Sequence, residues 1–68
     1  MNNEVIISNE ISYIVLLNQW LHINKRNKSY LARECNVSPA AVKYWLDYKH
    51  FPSKKHREMI KELTDIEL

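Results

Sequence analysis

An all-α fold is what this sequence predicts: a compact domain of four helices, five at most. Three observations carry it. Apolar residues recur at three- and four-residue steps in four separate stretches, with no clear strand pattern. Polar or proline-bearing connections separate those stretches, and helix start signals stand at Ser38-Pro39 and at Ser53. The chain has 68 residues, 46% apolar and 26% charged, which suits one globular domain rather than a disordered tail. A chain this short buries only about 60% of its unfolded surface, so marginal stability is expected.

The first helix is expected from about Glu10 to Asn24, with Ser8 or Asn9 as its cap. Ile11, Ile14, Val15, Leu17 and Leu21, with Trp20 nearby, form its apolar stripe. Before it, Val5, Ile6 and Ile7 either extend the helix, form a short strand or pack on a partner. Residues 1–8 and 64–68 are the segments expected to be flexible or dimer-forming. A polar connection, residues 24–29, leads to a second helix over about Lys28–Cys35, capped by Asn27 or Ser29, with Leu31, Ala32 and Cys35 inward.

Ser38 caps the third helix. Pro39 suits its first position, where the missing N–H would have had no helical partner. Val42, Trp45 and Leu46 face inward, and the helix is expected to end near Asp47–Lys49. Pro52 blocks continuation. The fourth helix follows, capped by Ser53, with Met59, Ile60 and Leu63 buried. The tail, Thr64 to Leu68, is expected to fray.

Between the second and third helices the chain turns within about three residues. Such turns ordinarily place glycine at a position of positive φ, and this chain has no glycine. Asparagine tolerates that conformation because its short amide bonds locally, so Asn36 is expected to make the turn. Val37 then plugs the angle between the helices. The spacing of Leu31, Ala32, Cys35, Asn36, Val37, Val42 and Trp45 is that of a helix-turn-helix over about residues 28–47.

The string YLARECNVSPAAVKYWL, Tyr30 to Leu46, followed by Pro52, resembles the helix-turn-helix of phage Cro and repressor proteins, including their small YdaS-like members. The motif covers about a quarter of the chain, and the four-helix layout covers most of it. Two departures stand out: Asn36 replaces the usual turn glycine, and the glycine often found after the third helix is missing near Tyr48–Lys49. The resemblance implies a lambda-repressor-like domain whose third helix enters the major groove of DNA, a groove wide enough for one helix.

With Val42, Trp45 and Leu46 turned inward, the outward residues of that helix are Ser38, Pro39, Ala40, Lys43, Tyr44 and Asp47. Lys43 is the leading base reader, through guanine O6 or N7; a phosphate contact is its plainer role. Tyr44 bonds a phosphate or touches a base edge. Ala40 accepts a thymine methyl or merely permits close approach. Asp47 accepts from cytosine N4 or repels phosphate at the groove edge. Ser38 caps its helix and can still meet a phosphate. Lys28, Lys49, Lys54 and Lys55 are expected on the phosphates. Lys54 and Lys55 stand in a helix's first turn, where cations oppose the dipole unless an anion faces them. His50 and Arg57, with Lys25 and Arg26, are further candidates.

The charge pattern agrees. Residues 1–21 carry net −2 and residues 58–68 net −3, but residues 22–57 hold nine Lys/Arg against Glu34 and Asp47, net +7. A basic centre between acidic ends suits a polyanion, or else is an ordinary solvated surface.

Sequence-specific binding of double-stranded DNA is therefore the expected function, as a phage or mobile-element repressor. One recognition helix covers few base pairs, so a homodimer on a palindromic operator is expected, with Val5–Ile7, Ile66 and Leu68 as spare apolar groups for its interface. The alternative is a protein-binding module, antirepressor- or antitoxin-like. The stretch VKYWLDYKHFP also resembles winged-helix excisionases and MerR-type proteins, which need a strand-built wing after the third helix. No enzyme is expected, because no nucleophile, carboxylate pair or phosphate loop is evident. His22, His50 and His56 lack metal-ligand spacing, and no cofactor is implied. One cysteine makes no internal disulfide, the start does not fit a secretory signal, and no apolar run is long enough for a membrane span. A cytoplasmic, bacterial setting is expected.

Overall fold

The computed structural model describes the backbone over residues 2–68 and the side chains from Asn9 onward. Among the described residues there are four helices and no strands: α1 Asn2–Ile23, α2 Lys28–Cys35, α3 Pro39–Leu46 and α4 Lys54–Thr64. The core draws on all four. Tyr13, Ile14, Leu17 and Leu21 come from α1, and Leu31, Ala32 and Cys35 from α2. Val42, Trp45 and Leu46 come from α3, and Ile60 from α4. Burying a large apolar side chain contributes about 1.5–3 kcal/mol, so this small set carries much of the stability. The chief packing is α2 on α3, with α4 against α2 and α1 against α3.

The first helix departs from the sequence expectation. It begins at Asn2, not Glu10, so Ser8 and Asn9 lie inside it rather than at its start. No proline or glycine stands upstream to stop it, and a polar pair costs a helix interior only tenths of a kcal/mol. Val5, Ile6 and Ile7 thus extend α1 in backbone; their side chains lie outside the described residues. The buried face is also rotated from the expected stripe. Tyr13 is only 2% exposed and takes a core place, while Ile11 and Val15 are exposed. Tyr13 packs edge-on against Phe51, with ring centroids 5.3 Å apart, and so ties α1 to the α3–α4 connection.

Each helix ends on a left-handed residue that is not glycine: Lys25, Asn36, Tyr48 and Asp65, with φ of 55°, 57°, 63° and 67°. After α1, α2 and α3 the same paired bonds close the end. Following α2, Asn36 N–H donates to the Arg33 carbonyl at 3.2 Å and Val37 N–H to the Ala32 carbonyl at 2.9 Å. Following α3, Tyr48 N–H donates to Trp45 and Lys49 N–H to Tyr44, at 3.1 and 2.9 Å. The missing glycine after α3 is thus replaced by Tyr48.

Starts are equally local. Asn27, not Ser29, caps α2, its side chain accepting from Tyr30 N–H at 2.9 Å. Ser38 accepts from Ala41 N–H at 3.1 Å, and Ser53 accepts from His56 N–H. Pro52 is buried between α3 and α4, and its carbonyl accepts from the Arg57 guanidinium at 2.8 Å. The tail does not simply fray: the Thr64 hydroxyl donates to the Ile60 carbonyl and accepts from Ile66 N–H, and Ile66 packs against the core.

Candidate nucleic-acid interface

The two short helices and the Asn36 turn fix α3 as a rod with two flanks. Its inner flank is spent: Val42 is fully buried, Trp45 and Leu46 nearly so. Trp45 also meets the His56 ring at 5.5 Å, which anchors the rod to α4. Its outer flank, Ser38, Pro39, Ala40, Lys43, Tyr44 and Asp47, is exposed throughout. This division follows from the 3.6-residue period once three inward positions are taken.

Lys43 and Asp47 are not independent. The ammonium donates to the Asp47 carboxylate at 2.7 Å, one turn away on the same flank, with side-chain exposures of 60% and 37%. The hydrogen bond from Lys43 holds the Asp47 carboxyl below its usual range; desolvation opposes the shift, and the positive fields of Lys43, Lys28 and Lys49 add to it. The same bond raises the Lys43 ammonium. Lys28, at the start of α2, and Lys49, just past α3, are therefore close enough for their charge to reach the far end of the flank. Tyr44 is braced from the side by His50, with ring centroids 5.4 Å apart in an edge-on contact.

The other cations are deployed differently. Arg26 lies over the Tyr30 ring at 4.6 Å. Arg57 is partly buried, sits over Phe51 and bonds the Pro52 carbonyl, so it serves the fold. Lys54 edges a shallow groove with Glu58, Lys61 and Glu67. Lys55 edges another with Glu58, Glu62 and Asp65. Among the described residues neither lysine pairs with α3. Arg57 and Lys61 share the Lys54 groove and Lys61 the Lys55 groove, so carboxylates outnumber cations beside Lys55 but only equal them beside Lys54; Glu58, common to both, offsets part of the dipole cost.

No known protein family, curated protein or solved structure matches this chain. The chain's own residues carry the case for its function. Cys35 is buried and burial raises its thiol, with Glu34 adding to the shift, which suits a small core residue and not a nucleophile. Among the described residues no cluster of His, Cys, Asp and Glu stands ready for a metal, and no helix is long and apolar enough to cross a membrane.

Sequence reasoning missed one residue beside the flank and one in the core. Tyr48 stands at the end of the outer flank, 54% exposed; the signal was the absent glycine, which obliges some residue there to turn left-handed. Tyr13 was missed in the core, although Tyr13, Leu17 and Leu21 recur at four-residue steps.

Proposed function

We propose that this protein is a sequence-specific double-stranded DNA-binding regulator, a repressor of the phage or mobile-element kind, that lays α3 in the major groove. The supporting observation is the division of α3 into a buried flank and an exposed one beside Lys28 and Lys49. Ala40, Lys43 and Tyr44 face base edges in this reading. Ser38, Lys28 and Lys49 meet phosphates, which position the helix without reading sequence. The protein binds rather than catalyses, and its Cro and repressor resemblance is part of the same proposal.

Two copies on a two-fold operator, with half-sites about one helical turn apart, would double a small contact. Of the apolar groups first offered for that interface, Ile66 is spent on the core and Leu68 is exposed. Val5–Ile7 lie outside the described side chains. A gel-shift stoichiometry of two chains per duplex is the expected result, and one chain per duplex at micromolar protein rejects the dimer.

Selection of bound sites from random duplexes tests the main reading, together with affinity across salt concentrations. A defined consensus and affinity that falls steeply with salt are expected. No binding at low salt rejects it in favour of the protein-binding alternative. That alternative is favoured by Ile11, Val15 and Leu16, exposed together on α1. The winged-helix reading loses its basis, since residues 54–64 are helical where a wing needs strands.

A further inference from the structure

Asp47 is an awkward residue for a face turned toward a polyanion. It caps the C-terminal end of α3, where the helix dipole disfavours negative charge. Its pairing with Lys43 runs in the weaker order, cation before anion, for residues one turn apart. Exposed pairs of this kind contribute little to stability. The fold therefore has small need of it. What the pair does present is a pattern: an ammonium donor and a carboxylate acceptor side by side, 2.7 Å apart, on the exposed flank of α3.

A G·C base pair shows the complementary pattern in the major groove. Guanine offers two neighbouring acceptors, N7 and O6, and cytosine offers the N4 amino donor next to O6. O6 and N4 are hydrogen-bonded to each other, so they lie about 2.9 Å apart. The bonding capacities also match. Of the three ammonium protons of Lys43, one goes to Asp47, leaving two for O6 and N7. The carboxylate has lone pairs left for the N4–H that is not used in base pairing.

We propose that Lys43 and Asp47 act as one unit that reads a single G·C base pair, with their ion pair kept intact in the complex. The inference rests on the DNA-binding reading above. An A·T pair fits less well: its donor N6 separates the acceptors N7 and O4, so the ammonium loses one partner, and the thymine methyl crowds O4. Phosphate fits worse still, because the carboxylate beside Lys43 is repelled by it. Asp47 is thus a specificity residue that works twice, by accepting from cytosine and by holding Lys43 off the backbone.

The test compares the wild-type chain with Lys43→Ala, Asp47→Ala and Asp47→Asn. Circular dichroism first checks that each variant is folded, as expected for substitutions of exposed side chains. Each protein selects sites from a random duplex pool, and affinities are then measured on the winning duplex and on its single-base-pair changes. The wild type is expected to fix one G·C position, where a change to A·T costs about tenfold or more. Lys43→Ala and Asp47→Ala should both relax that same position, and Asp47→Asn should relax it partly. Asp47→Ala should also tighten binding to mixed-sequence DNA. If Asp47→Ala keeps the full preference, or the two alanine variants relax different base pairs, the unit is overturned while the DNA-binding reading stands. If the wild type binds no duplex at low salt, both fall together.

Discussion

Tyr48 bears the most visible local cost in the molecule. A bulky side chain at φ 63° gives up about 1–2 kcal/mol relative to the right-handed region. Glycine removes that penalty but adds about 0.5–1 kcal/mol of unfolded-state freedom. Tyr48→Gly is therefore expected to stabilise by up to about 1 kcal/mol, read as a higher urea midpoint; a lower midpoint would mean the ring packs usefully where it stands. Tyr13 carries a second cost. Among the described residues its buried hydroxyl has no hydrogen-bond partner, and burial, partly offset by Arg57, pushes the phenol up to about 12. The unfolded chain releases this proton near pH 10 and the folded chain near pH 12, so stability is intact below pH 10 and falls as pH climbs between the two. The loss should approach about 2–3 kcal/mol. Tyr13→Phe keeps the edge-on contact with Phe51, removes the orphan hydroxyl and should flatten this alkaline decline in a pH series of melts.

At the scale of elements, legibility in the sequence followed how local each signal was. Both ends of α2 and the start of α3 fall where Lys28, Cys35, Asn36, Ser38 and Pro39 place them, because caps and left-handed turns act over three or four residues. The α4 start follows from Ser53 in the same way. The N-terminus of α1 was illegible because nothing in residues 2–9 terminates a helix, so its start depends on the absence of a signal. The face of α1 was read only in part, since Ile11, Tyr13, Ile14 and Val15 are all apolar or aromatic and only packing selects among them. The outer flank of α3 was readable by subtraction once its three inward residues were known. The Lys43–Asp47 bond was not, because a one-turn spacing permits a pair without requiring it. Cap energetics give a direct check: Ser38→Ala should cost about 1 kcal/mol of stability and fray the start of α3, seen as faster hydrogen exchange at Ala41.

Across the whole molecule, charge is sorted. The cations with α3 in reach, Lys28, Lys43 and Lys49, stand apart from the mixed charges of α4 and the tail, where Arg57, Glu58, Lys61 and Glu67 line the groove beside Lys54, and Glu58, Lys61, Glu62 and Asp65 that beside Lys55. Under the proposed function each phosphate neutralised adds about 0.9 to the slope of log affinity against log salt. Lys28→Ala and Lys49→Ala should each lower that slope by about one and weaken all sequences alike, whereas Lys54→Ala should change it less. An equal fall for all three would return Lys54 to the phosphate set.

The lone thiol gives this small globule a built-in gauge. Cys35 lies at 1% exposure on the inner side of α2, directly before the Asn36 turn, and no second cysteine competes with it. A maleimide or disulfide reagent can reach that sulfur only when the inner side of α2 separates from the rest of the core. Its modification rate, set against that of the denatured chain, therefore reports how often the core around α2 opens. Under the proposed function, bound duplex should slow that chemistry in proportion to its occupancy, with no dye or engineered probe on the outer flank of α3.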